Sequence, residues 1–224
     1  MCFSATADVV AGLAITVVGI DAVRHVRTPQ QIPLGLVPLL LAGHQFTEAV
    51  VWWGLQGHVP SVALSVAKWI YLLVAFVLLP VYFPVSVLLV EPDARRRRAM
   101  SVLALVGVAV AACLLVALVR GPVTAELCPT HIAYGIDVWL GWLVVPAYVV
   151  ATCGAALLSS SIYLRVFGVL NLAAVSVLAL LERDGFASLW CGWAALVSIT
   201  IALQLRHPGP ATHVAETVPS AAPL

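Results

Sequence analysis

His44 and Glu48 are the two residues of this sequence whose types and spacing are best suited to chemistry. They lie four positions apart, in the stretch His-Gln-Phe-Thr-Glu, and residues four apart share one face of a helix. An imidazole and a carboxylate on one helix face can bind a metal ion together or exchange a proton with a bound molecule. We therefore predict that Glu48 and His44 are catalytic residues, with Glu48 acting as a base toward a bound water.

Other polar and aromatic residues are predicted to lie at a similar depth in apolar segments. Ionisable groups inside a bilayer are costly and usually mark function, so these residues predict one polar and aromatic pocket. The alternative is an internal ion-pair network in which Glu48 and Asp137 neutralise Lys68 and a protonated His44. The predicted pocket lining is Lys68, Tyr71, Tyr134, Asp137, Trp52, Trp139 and Trp190.

The same region offers a set of metal-binding side chains. Zinc binds Cys sulfur, His nitrogen and carboxylate oxygen, usually with four ligands. The sequence contains neither Cys-x-x-Cys nor His-Glu-x-x-His, which are the spacings typical of zinc sites. The alternatives are a histidine that hydrogen-bonds a neighbour and a haem held between His44 and His131. The predicted ligands, for zinc or another transition metal, are Cys2, His44, Glu48 and His131.

Three cysteines, Cys2, Cys128 and Cys191, are predicted to lie at the outer face of the membrane. That compartment is oxidising and permits disulfides. We predict a disulfide between Cys128 and Cys191, which would hold the loop around Cys128 over the pocket. A bridge that uses Cys2 is the alternative.

The composition indicates that the solvent of this protein is a lipid bilayer. Hydrophobic residues make up 62% of the 224 residues, charged residues 9%, and the mean hydropathy is +1.08. Soluble domains carry about 25% charged residues, so a soluble enzyme and a disordered chain are both excluded. The net charge of +1 gives no support to nucleic-acid binding.

Seven apolar segments are long enough to cross a bilayer as helices, which takes about 20 residues. Pro80 and Pro84 predict a kink in the third segment, and Pro146 predicts a bend in the fifth. We predict an all-α fold, a polytopic membrane bundle of seven transmembrane helices (1–207) followed by a disordered cytoplasmic tail (208–224). The segments lie near 5–24, 32–54, 61–89, 99–119, 132–157, 162–181 and 186–205.

The distribution of arginine predicts the orientation, because cytoplasmic loops carry an excess of Lys and Arg. With the N-terminus outside and the C-terminus inside, the inner ends receive eight arginines and the outer ends two. This predicts a multi-pass protein of the plasma membrane whose pocket opens outward. The inner arginines are Arg24, Arg27, Arg95, Arg96, Arg97, Arg98, Arg165 and Arg206, and the outer ones are Arg120 and Arg183.

The opening Met-Cys-Phe-Ser-Ala resembles a family of uncharacterised bacterial integral membrane proteins that begin in the same way. The second segment of those proteins carries a stretch similar to the one from His44 to Trp52. The resemblance implies a multi-helix membrane protein and no known activity, so it gives no residue a catalytic role.

Three functions fit these features. The first is a metal-assisted membrane enzyme that uses Glu48 and His44. The second is a transporter or sensor of a small molecule or ion, and the third is an interaction subunit whose polar groups are structural. A retinal protein is excluded because the only lysine, Lys68, lies in the third segment and not in the last. The expected partners are the lipid bilayer and an unknown small molecule.

Overall fold

Helices dominate the described part of the chain. The computed structural model describes residues 4–128, 131–181, 193, 195 and 197–207. The elements are α1 (Ala5–Arg24), α2 (Ile32–Leu55), α3 (Ser61–Leu73), α4 (Leu79–Val90), α5 (Ala94–Arg120), β1 (Val123–Leu127), β2 (Ile132–Ile136), α6 (Gly141–Leu157), α7 (Ile162–Leu181) and α8 (Ile199–Arg206).

Four helical segments among the described residues are long and apolar enough to cross a membrane. The helices α6 and α7 are also apolar. The fold is therefore compatible with a membrane protein, as the composition predicts, while the number of spans and the orientation stay predictions. The tail 208–224 and the start of the seventh predicted segment lie outside the described residues. The four segments are Ala5–Arg24, Pro29–Leu55, Ser61–Val90 and Ala94–Arg120.

The predicted helix over 132–157 is wrong in its first part, which is a β-strand. β1 and β2 form an antiparallel hairpin with Val123 opposite Ile136, and α6 begins only at Gly141. The two strands are rich in β-branched and aromatic residues, which suit a pleated backbone. An apolar run alone does not distinguish a strand from a buried helix. As a result, Asp137 follows a strand in a loop and does not lie on a membrane helix.

The bundle has two ends with different characters. At the hairpin end, the start of α1, the end of α2, the start of α3 and the hairpin pack around Trp52 and Ile132. At the arginine end, the end of α1 meets the end of α8 through a two-pronged ion pair between Asp21 and Arg206. Arg96 joins the start of α5 to the turn between α6 and α7 there.

Small residues let α1 and α2 pack closely. A Cβ added at Gly12 would overlap the ring of Phe46, and one added at Gly19 would overlap the side chain of Leu39. These two contacts show that the helices are antiparallel and also fix their register. In that register, the first turns of α1 lie beside the last turns of α2.

The segment between α3 and α4 departs from regular α-helix where the prolines predict an irregularity. Residues Val74–Leu78 are π-helical, and Pro80, which has no backbone N–H, follows at once. The hydroxyl of Tyr148 on α6 donates a hydrogen bond of 2.7 Å to the carbonyl oxygen of Ala75 in this segment. On the other side, Gly107 of α5 lies against the carbonyl oxygen of Pro80. Single π-helical turns inside α-helices are frequent at functional sites.

Candidate functional site

Buried polar side chains gather at the hairpin end of the bundle. Each of them is at most 5% exposed, although such residues are mostly exposed in proteins unless they are paired or functional. With the two tyrosines described below, they form what we call the hairpin-end cluster. Its buried polar members are Asp8 on α1, His44, Gln45 and Glu48 on α2, and His131 immediately before β2.

The two carboxylates of the cluster come from neighbouring helices. Asp8 and Glu48 are both fully buried. Because Gly12 packs on Phe46, the antiparallel register places Asp8 beside the turn of α2 that carries Glu48. Ser4 begins α1 one turn earlier, where its side chain accepts a hydrogen bond from the backbone of Ala7. Two acids therefore enter the bundle at nearly the same depth within candidate membrane spans.

Three aromatic rings form a continuous stack that begins at His44, one helical turn before Glu48 on α2. The imidazole of His44 stacks on the ring of Tyr71, with centroids 4.0 Å apart and planes 13° apart. Tyr71 stacks in turn on Tyr134 of β2, with centroids 4.6 Å apart and planes 15° apart. Such near-parallel contacts stabilise by about 0.5–1.5 kcal/mol beyond the area they bury. The stack joins α2, α3 and the hairpin, which are far apart in sequence.

His44 is the most unusual member of the cluster. Its side chain is 3% exposed, and both ring nitrogens are buried without a hydrogen-bond partner in the described part of the chain. Buried polar atoms are hydrogen-bonded in the large majority of cases, so an unsatisfied one requires an explanation such as a bound ion, water or ligand. Since Tyr71 covers one face of the imidazole, a ligand would meet the ring through its nitrogen edge.

Lys68, which is predicted to line the pocket, connects α3 to the hairpin. Its ammonium group donates a hydrogen bond of 2.9 Å to the carbonyl oxygen of Val123 at the start of β1. The ion pairs of Asp21 with His25 and Arg206 lie at the arginine end and do not include Lys68. Lys68 thus secures the hairpin to α3, and no ion pair with Glu48 is seen. Asp137 is exposed to solvent, outside the cluster.

The predicted pocket tryptophans separate into different environments. Trp52 is 3% exposed and packs in the core beside Ile132, next to the cluster. Trp139 is 85% exposed, unlike the buried cluster, which fits the interfacial position typical of tryptophan in membrane proteins. Trp190 lies outside the described residues.

The predicted metal set and disulfide are not seen in the described residues. No group of three His, Cys, Asp or Glu side chains there is arranged to hold a metal ion. His44 and Glu48 share a helix face, but His131 does not complete a triad with them. Cys128 carries a free thiol. The other predicted participants, Cys2 and Cys191, lie outside the described residues.

Two members of the cluster, Asp8 and Gln45, are absent from the predicted site. Asp8 carried a usable signal, since it is a carboxylate inside the first apolar segment, and such groups usually mark function in membranes. Gln45 gave no comparable signal because it carries no charge. Its burial depends on how α2 packs in the bundle, which the sequence of α2 does not specify.

Comparison with known proteins gives a family and no activity. A model described as "Family of unknown function (DUF6629)" matches residues 1–216. No curated protein and no solved structure matches the chain. The match agrees with the resemblance to an uncharacterised family that the sequence indicates.

Proposed function

The chain belongs to the DUF6629 family, whose function is unknown, and from that premise we propose that it is a membrane protein that binds a small molecule or an ion. The site is the hairpin-end cluster, and the protein acts as a carrier or a sensor of its ligand. The observation that carries the proposal is the buried, unsatisfied imidazole of His44. A ligand that hydrogen-bonds or coordinates its nitrogen edge would remove the cost of burying it, about 1–3 kcal/mol.

The charges of the cluster favour a ligand that carries positive charge. The cluster contains two carboxylates, Asp8 and Glu48, and two imidazoles, but no Lys or Arg. Lys68, the basic residue of α3, donates a hydrogen bond to the carbonyl oxygen of Val123. Stacked aromatic rings and carboxylates in one cluster suit an organic cation or a monovalent inorganic cation, since ring faces also attract positive charge.

The position of the cluster supports a carrier or sensor. Asp8, His44 and Glu48 lie on two of the segments that are long and apolar enough to span a membrane. Ionisable residues at such positions usually mark ion or solute pathways and proton relays. The π-helical segment Val74–Leu78 begins three residues after Tyr71, so the stack adjoins a stretch of irregular helix that can change its hydrogen bonding.

A metal-assisted enzyme is the second candidate. His44 and Glu48, one helical turn apart, provide one nitrogen and one carboxylate ligand, and Glu48 could serve as a base toward a bound water. A catalytic zinc usually takes three protein ligands and a water. The third ligand would have to come from His131, with which the described residues form no such triad, or from Cys2, which lies outside the described residues. The solute-binding function therefore has the stronger support.

The orientation follows from the arginines. We place the arginine end in the cytoplasm and the hairpin end outside, because among the described residues eight arginines lie at the former and only Arg120 and Lys68 lie at the latter. Under this placement the cluster opens outward and the protein is a multi-pass protein of the plasma membrane. A cysteine introduced at Asp93 should then resist an impermeant thiol reagent in intact cells.

His44→Phe is the variant that tests the proposal. Phenylalanine keeps the ring that stacks on Tyr71 and removes both nitrogens. The matched control is His58→Phe, which changes an exposed histidine in the turn after α2. Native mass spectrometry of gently purified protein should show a bound species in the wild type and in His58→Phe, and none in His44→Phe.

Elemental analysis of the same samples distinguishes the two candidates. An organic ligand or monovalent ion without transition metal supports the carrier or sensor, whereas stoichiometric zinc or another transition metal supports the enzyme. Wild-type protein that carries no bound species in either measurement would contradict both. The cluster would then be an internal network that stabilises an interaction subunit.

A further inference from the structure

We propose that the arginine end binds the headgroups of anionic phospholipids through Arg95, Arg97 and Arg98 at the start of α5. This inference depends on α5 spanning the membrane, but not on the hairpin-end cluster. The two proposals concern opposite ends of the bundle, so either can fail alone.

The first argument is the helix face on which these arginines lie. Val102, Leu105 and Val108 are exposed apolar residues on α5 and form the stripe that would face lipid. Arg98 precedes Val102 by four residues and Leu105 by seven, so it lies on the same face. Arg95 lies one turn before Arg98. The basic side chains thus extend the lipid-facing stripe to the level where the headgroups of a bilayer begin.

The second argument is that one arginine of the run is already used by the protein. Arg96 donates hydrogen bonds of 2.9 and 3.1 Å to the carbonyl oxygens of Leu158 and Ser159, which connects α5 to the turn between α6 and α7. All four arginines of the run are exposed, but in the described part of the chain Arg96 alone among them has a guanidinium that donates such hydrogen bonds. The run therefore contains one arginine bonded within the protein and three whose guanidinium groups are available to an external anion.

The third argument is the shortage of negative charge at this end. Glu91 is buried and accepts hydrogen bonds from Ser159 and from the backbone and hydroxyl of Ser160. Asp93 begins α5 and accepts a hydrogen bond from the backbone N–H of Arg96.

The remaining acid among the described residues of this end is also engaged. The carboxylate of Asp21 accepts hydrogen bonds from Nε and Nη2 of Arg206. In the described part of the chain, no ion pair joins a carboxylate to Arg97 or Arg98. Their positive charge is available to an external anion.

A second helix shows the same arrangement at the same end. Val10, Leu13, Val17 and Ile20 form an exposed apolar stripe on α1, and Arg24 continues it four residues after Ile20. On two helices, an exposed apolar stripe therefore ends in arginine at the same end of the bundle. Lipid phosphodiester groups suit these arginines because a guanidinium group binds two phosphate oxygens at once.

The test measures lipid binding in neutral detergent, where a role of the arginines in membrane insertion cannot contribute. Full-length protein is titrated with phosphatidylglycerol or phosphatidylcholine in mixed micelles, and bound lipid is counted by native mass spectrometry. The wild type should prefer phosphatidylglycerol. A triple variant that combines Arg95→Gln, Arg97→Gln and Arg98→Gln should bind phosphatidylglycerol more weakly, by roughly fivefold for each arginine neutralised. Its binding of phosphatidylcholine should be unchanged.

Arg120→Gln is the matched control, since it removes an exposed arginine from the opposite end of the same helix and should bind lipid as the wild type does. Arg98→Gln alone serves if the triple variant fails to fold. Inorganic phosphate should not displace the lipid; displacement at millimolar phosphate would assign the arginines to a free anion and overturn the proposal. Equal binding of the two lipids by the wild type, or an undiminished preference in the Arg98→Gln variant, would overturn it as well.

Discussion

The imidazole of His44 and the phenol ring of Tyr71 stack with their centroids 4.0 Å apart and their planes within 13° of parallel. One face of the imidazole is thus used for packing, while its nitrogen edge makes no hydrogen bond in the described part of the chain. One residue therefore combines a structural face with an edge suited to binding.

Because the ring face of His44 packs and its nitrogen edge is unsatisfied, we predict that His44→Phe raises the stability of the ligand-free protein. The variant keeps the stack and removes two unsatisfied buried nitrogens, whose burial costs about 1–3 kcal/mol. We expect a higher midpoint of thermal unfolding in detergent after the protein has been stripped of bound species. A lower midpoint than that of the wild type would show that the nitrogens are satisfied within the protein.

Lys68 and Glu48 should contribute independently to stability. Because Lys68 is bonded to the carbonyl oxygen of Val123, Lys68→Met should loosen the hairpin, while Glu48→Gln affects the cluster. Their effects on the free energy of unfolding should add to within about 0.5 kcal/mol in the double variant, as is usual for residues that do not interact directly. A larger interaction energy would show that Lys68 and Glu48 form the ion pair that is the alternative prediction from the sequence.

Gly107→Ala should destabilise the bundle. A Cβ at this position would overlap the backbone carbonyl of Pro80, which cannot move as a flexible side chain can, and such overpacking typically costs about 1–3 kcal/mol. Gly43→Ala is the control, because a Cβ there meets nothing within 4 Å. It should leave the midpoint of thermal unfolding unchanged or raise it. Equal effects of the two variants would contradict the close packing of α4 and α5.

Tyr148→Phe should weaken the attachment of α6 to the π-helical segment. The variant removes the hydrogen bond from the Tyr148 hydroxyl to the carbonyl oxygen of Ala75 and leaves that buried acceptor unsatisfied, at a cost of about 1–3 kcal/mol. Tyr163→Phe is the comparison, since it changes a tyrosine at the arginine end. Chemical denaturation in mixed micelles measures both. A larger loss for Tyr163→Phe would show that the bond to Ala75 contributes little.

The sequence by itself determined the class of the molecule and most of its helices. The composition predicts a lipid solvent, with which the helices are compatible, and the first four apolar segments are helical close to their predicted bounds, such as Ile32–Leu55 for 32–54. The shared face of His44 and Glu48 also follows from the sequence. These features could be predicted because helix length and side-chain periodicity are local properties, and a transmembrane helix satisfies its own backbone hydrogen bonds.

The tertiary structure decided which residues meet. The strand containing Tyr134 exists because its backbone pairs with β1, and only that pairing brings Tyr134 onto Tyr71. The partner of Lys68 is likewise a carbonyl oxygen 55 residues away. Neither contact has a local signal, because stacking and hydrogen bonding between distant residues depend on helix packing and strand register. A sequence read one segment at a time specifies neither of these.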